Sequence, residues 1–165
     1  MQRVVAVILA TMAIAAAPAT KPAVDFDGVE AIVRAMPPEV REGYLGEAPT
    51  QLQQKRAWEW VKANVIGKTF ASPAVVNDVG AEGKHPVVKV NATATFAGLR
   101  YDQAIVVYLP AADESKAAAL RKGQRVVTGG KIDRFSVSRT RKTADVSIEL
   151  SDGHVDVKPA TQPAR

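Results

Sequence analysis

Four cations stand close together in the run RFSVSRTRKTAD: Arg134, Arg139, Arg141 and Lys142. Guanidinium and ammonium groups at this density can hold anionic groups by charge and by forked hydrogen bonds. Lys84 and His85 form a second, smaller basic pair. Phe96, Tyr101 and Tyr108 are the aromatics placed to offer flat faces to a ligand, since a ring can stack on any base. Other chemistries lack their parts. There is no cysteine to act as nucleophile or thiolate ligand. His85 and His154 lie far apart, without the short spacings that build a metal site. Gly80-Ala81-Glu82-Gly83-Lys84 lacks the spacing of a phosphate-cradling P-loop. Asp and Glu are scattered, so no acid–base pair is legible. The expectation is a protein without catalytic residues, cofactor or metal. Asn91-Ala92-Thr93 matches a glycosylation sequon, but it falls inside a strand pattern.

The chain opens MQRVVAVILATMAIAAAPAT. Arg3 precedes an uncharged apolar run to Ala17, and Ala17-Pro18-Ala19 offers small residues at a cut. That is the order of a secretory signal peptide, expected at 1–19. The run is short for a membrane span, which needs about 20 apolar residues; an uncleaved anchor is the other reading. Export to the periplasm or medium would permit disulfides, but with no cysteine the domain must be held by packing alone. Losing Arg3 lowers the formal charge from +5 to +4. The ending KPATQPAR is rich in Pro and Ala, and 159–165 is expected to be a disordered tail.

Two helices are expected at 24–65. In DFDGVEAIVRAMPP, Asp27 and Glu30 have capping-box spacing, and Val29, Ile32, Val33 and Met36 make one apolar face before Pro37-Pro38 stops the helix. In PTQLQQKRAWEWVKANVIGK, Thr50 and Gln53 repeat the box, and Ala57, Trp58, Val61 and Val65 share a face. Trp60 lies about 100° from Val61 on the wheel. Both tryptophans are expected to anchor this helix on the rest of the domain.

After Gly67 the periodicity changes from helical to alternating. KTFASPAVVNDV, PVVKVNATATFAG and LRYDQAIVVYLP read as three strands, the last two a hairpin turning near Gly98. AADESKAAALRKG reads as a short helix. RVVTGGKIDRF could be a hairpin turning at Gly129-Gly130 or one bent strand. The hairpin would set Arg125 opposite Arg134 and Val126 opposite Asp133, which is unfavourable. One strand leaves Val126, Thr128, Gly130 and Ile132 on an uncharged side, with glycines to allow a bulge. The single strand is expected, followed by ADVSIELSDGHVDV.

The order of three strands, helix and two strands describes a mainly β, five-stranded Greek-key barrel, the OB-fold, spanning 66–158. Gly67-Lys68 before the first strand, Lys122-Gly123 opening the fourth with Gly130 inside it, and Leu150 to Asp152 closing the last resemble the exported tRNA-anticodon-like OB-fold family. The resemblance covers about 50 to 157. Pro73-Ala74 departs from the family's polar residue and glycine, and Gly153 stands where many members have cysteine. These motifs mark architecture rather than chemistry.

OB-folds hold oligomers on one barrel face between the loops after strands one and four. The resemblance therefore gathers Lys84, His85, Tyr101, Arg134, Arg139, Arg141 and Lys142 as candidate ligand-binding residues. The expected function is a non-catalytic exported module for a protein or an anionic oligomer. One alternative is an envelope-assembly component acting through its N-terminal helices. Another is a single-stranded nucleic-acid binder, which export disfavours.

Overall fold

The computed structural model describes residues 24–140 and 142–158. The expected signal peptide, the tail and Arg141 lie outside them. The elements are β1 (Phe26–Asp27), α1 (Gly28–Ala35), α2 (Pro38–Leu45), α3 (Gln51–Asn64), β2 (Thr69–Glu82), β3 (His85–Phe96), β4 (Leu99–Tyr108), α4 (Glu114–Ala119, after a 3-10 turn at Ala111–Asp113), β5 (Arg125–Arg139) and β6 (Thr143–Val157). The chain is mainly β. The sheet runs β1-β2-β3-β4-β6-β5, and pairing of β2 with β5 closes the last five strands into a barrel.

Neighbours in the barrel are antiparallel except β4 and β6, which run parallel. RVVTGGKIDRF lies wholly inside β5, with Gly129 opposite Ala71 and Gly130 opposite Phe70 of β2. The single bent strand is what forms. Its register against β6 slips at Gly129/Lys131 and again at Ile132/Arg134; each slip adds local twist and lets one strand serve two neighbours of a small barrel. Pro73 falls in the part of β2 that precedes its pairing with β3, where the ladder is to β5. A strand tolerates proline where an edge is unpaired.

The barrel interior is filled by Phe70, Val76, Val88, Val90, Ile105, Val107, Ile132, Ile148 and Leu150, all buried. The stripe Val29, Ile32, Val33 and Met36 is buried in the same core. Asp27, however, makes no side-chain cap on α1; its backbone is committed to β1, opposite Ala71. Three helices precede the barrel instead of two. Pro37-Pro38 ends α1 as expected, but Pro38 is also the first residue of α2, a position where proline's missing N–H is no loss. In α3 the capping box forms: Thr50 Oγ1 accepts from the Gln53 N–H at 3.3 Å and Gln53 Oε1 accepts from the Thr50 N–H at 2.8 Å.

Ahead of β1, Asp25 is tied to β2. Its carboxylate accepts from the Thr69 N–H at 2.8 Å and from the Thr69 hydroxyl at 2.7 Å. The Thr69 backbone bond, then the hydroxyl, holds this carboxyl below the usual aspartate range. A depressed folded pKa adds stability above the unfolded value of about 3.9, and that stability is lost as pH falls through the folded value. Pairing of β1 should therefore loosen as pH falls below about 4, seen as faster amide exchange at the β1–β2 ladder. Asp25→Asn should remove that pH dependence; an unchanged profile would show that this tether does not hold β1.

Candidate binding groove

α2 and α3 pack closely because Gly43 has no side chain. A Cβ there would lie 2.4 Å from the Gln53 carbonyl oxygen and 2.8 Å from Ala57 Cβ. The pair sits beside β5, and a groove of about 840 Å³ runs between them. Tyr44 of α2 and Phe135 of β5 meet at its base, ring centres 6.3 Å apart and tilted by 57°. Burial pushes the Tyr44 phenol above its ordinary pKa. Trp58 and Lys62 of α3 stand along one wall; Asp133, Arg134 and Arg139 are along the other.

The tryptophans divide differently from the expectation that both anchor α3. Ala57, Val61 and Val65 are buried, and Trp60 is half-buried against the core. Trp58 is 57 % exposed. The wheel sets Trp58 closer than Trp60 to the buried line, but its side of the helix opens onto the groove. Lys62, one turn on, places its ammonium 5.3 Å from the Trp58 ring centre, a cation–π contact. This i, i+4 pair was visible in the sequence; that it would border a groove was not.

The candidate residues taken from the sequence do not form one site. Lys84 lies in the β2–β3 turn, and His85 opens β3, exposed. Lys142 precedes β6 at the other end of the barrel, where Thr143 pairs with Arg100 and Arg100 with Thr95. About 30 Å of strand separates the two ends. Arg134 is committed to Glu149, its cross-strand partner, at 2.8 Å. Arg139 is half-buried and donates to the Leu45 carbonyl oxygen at the end of α2.

Tyr101 corrects the expectation of an exposed aromatic. It is 2 % exposed and stacks flat on Phe96 at 4.0 Å. It shares odd-numbered parity with Ile105 and Val107, both buried, so strand alternation alone points it inward. The same parity turns Tyr108 the other way. Tyr108 is half-buried, and its hydroxyl donates to Glu82 at 3.0 Å. That bond raises the phenol's pKa.

The outer face of β3, β4, β6 and β5 carries a shallow hollow of about 660 Å³. Asn91, Ala104, Ser147 and Ser136 form one exposed cross-strand row. Among the described residues no cluster of three or more His, Cys, Asp or Glu could hold a metal, and no helix is long and apolar enough to cross a membrane.

No family model matches the chain, and no curated protein matches it. Solved structures similar to it include an OBody bound to hen egg-white lysozyme, 20 % identical over 57 % of this chain and 84 % of that one, with a TM-score of 0.36. A Plasmodium falciparum SSB complex with ssDNA is 18 % identical over 55 % of this chain and 93 % of that one, TM-score 0.37. A mitochondrial single-stranded DNA-binding protein from S. cerevisiae is 12 % identical over 55 % and 93 % respectively, TM-score 0.36.

Proposed function

We propose that this protein is a non-catalytic, exported binding module, an OB-fold barrel of Greek-key type that holds a protein or ligand partner in the groove between α3 and β5. Three features support the fold assignment: the closed order β2-β3-β4-β6-β5, the parallel β4–β6 pair, and α4 between β4 and β5. Membership of the tRNA-anticodon-like family belongs to the same proposal. Its support is the glycine motifs, with Gly67 at φ +82° ahead of β2 and Gly123 at φ +84° ahead of β5.

The observation that carries the binding role is Trp58. A large indole exposed at 57 %, beside a groove of about 840 Å³, is unusual surface. Tryptophan and arginine dominate binding energy where they anchor a partner, and ligand sites run from about 300 to 1,000 Å³. The assembly reading through the α1 stripe loses support, because that stripe is core. The nucleic-acid reading needs free stacking faces; Phe96 and Tyr101 stack on each other instead. The shallow hollow on the outer barrel face, with its exposed row Asn91, Ala104, Ser147 and Ser136, supports a second reading, in which the partner lies across β3 and β4.

Site-specific photo-crosslinking in the producing cell separates the two. A crosslinker at Gln54, on the groove, is expected to give a defined adduct that Trp58→Ala abolishes. Truncating an exposed side chain should change stability by no more than about 0.5 kcal/mol, so lost adduct would mean lost binding. Adducts from Ala104 alone would move the site to the barrel face. Adducts at Gln54 that survive Trp58→Ala would remove the groove reading.

A further inference from the structure

A second, smaller cavity lies on the other side of α2, and its chemistry is distinct. Pro38, Arg41, Glu42 and Leu45 of α2 stand over the end of the barrel at Leu99 and Tyr101, with Arg139 closing the side. Its volume is about 280 Å³, room for a small molecule and not for a polymer. Two guanidinium-bearing residues and a tyrosine therefore border one small cavity that opens to solvent. Neither Arg41 nor Arg139 has a carboxylate within ion-pair distance among the described residues, although five other cations do: Arg34, Lys55, Arg100, Lys116 and Arg134.

The donors are only partly used. Arg41 Nη2 donates to the Met36 carbonyl oxygen at 3.1 Å. Arg139 donates from Nη1 to the Leu45 carbonyl oxygen, but its buried Nε has no acceptor. A buried donor left unmet is costly, more so on a charged group. The Tyr101 phenol feels both arginines: burial raises its pKa, while Arg139 and then Arg41 pull it down. Glu42 is the one acid on the cavity, and its Oε1 lies against Gly46, 2.5 Å from where a Cβ would stand. Two cations against one anion leave the cavity positive.

We propose that this cavity is a binding site for a small oxyanion, a carboxylate or phosphoryl group, held by Arg41 and Arg139 with the Tyr101 hydroxyl as a further donor. Guanidinium forks match both groups in geometry, and such charge-assisted bonds are the strong ones. The site shares Arg139 with the wall of the Trp58 groove, but Arg41 and Tyr101 lie outside that groove, so the anion reading is tested without it. Bound anion would also fasten α2 to the barrel end, because Arg41 is on the helix and Arg139 on β5.

Calorimetric titration of the full chain with inorganic phosphate and with succinate, at constant ionic strength set by sodium chloride, tests this. Saturable binding of at least one is expected, and which one binds identifies the group. Arg41→Gln should weaken it about tenfold or more, the usual loss for a charge-assisted bond. Tyr101→Phe keeps the ring stacked on Phe96 and should weaken it less. Arg41→Lys keeps the charge without the fork and should fall between wild type and Arg41→Gln. Thermal melts of each variant confirm equal folding; Arg139 is left unaltered because it also anchors α2. No saturable binding of either anion would overturn the proposal, as would binding that Arg41→Gln and Tyr101→Phe leave unchanged.

Discussion

Valine in place of Gly130 should destabilise the barrel by about 3 kcal/mol, lowering the melting temperature by roughly 10 °C. The cause is space. A Cβ at position 130 would lie 2.8 Å from the Ser151 carbonyl oxygen, 3.0 Å from Gly153 Cα and 3.2 Å from Leu150 Cβ. The first two are backbone atoms of β6 and cannot swing aside. They come this close because the β5–β6 register slips between Gly129 and Lys131. A β-branched side chain adds bulk at the Cβ that has no room. Gly80 provides the control. It is also in a strand, but a Cβ there would meet nothing within 4 Å. Gly80→Ala should leave stability unchanged or raise it slightly, by reducing the entropy of the unfolded chain. An unchanged melting temperature for Gly130→Val would mean that β5 and β6 do not approach as described.

Ile32→Ala should cost about 2–5 kcal/mol, the range for emptying a buried isoleucine site. Ile32 is 0 % exposed and belongs to the same core as the barrel residues. Leu52 on α3 is 58 % exposed, so Leu52→Ala should stay within about 0.5 kcal/mol. Denaturant titration separates these outcomes, and a single transition for both variants would show helices and barrel unfolding together. A small loss for Ile32→Ala would return the α1 stripe to the surface and revive the assembly reading.

Most of the secondary structure was legible because its signals are local. The Thr50–Gln53 capping box depends on residues three apart, and it forms. The apolar repeat of α1 spans two turns and marked a face that is buried. For β5, the decisive comparison was between pairings inside one short run, and like charges facing each other ruled out the hairpin. Two local errors also have local causes. Pro37-Pro38 signals a stop by spacing alone, yet Pro38 also begins a helix. Tyr101 lies in a strand expected to flank a ligand, yet its parity with Ile105 and Val107 turns it inward.

Local pattern carries the switch from helical to alternating periodicity after Gly67, the unbroken β5 and the apolar stripe of α1, because each follows from neighbours within a few residues; that the stripe is buried depends on its packing into the shared core. Where the cations lie is set by contacts across the fold. Strand register sets Lys84 and Lys142 at opposite ends of the barrel, Arg134 against Glu149, and Arg139 under α2. Tertiary structure also decides that Trp58, not Trp60, faces solvent, since exposure depends on which side of α3 the barrel leaves uncovered. Such choices depend on contacts between segments dozens of residues apart, and composition and spacing along the chain do not record which segments will meet.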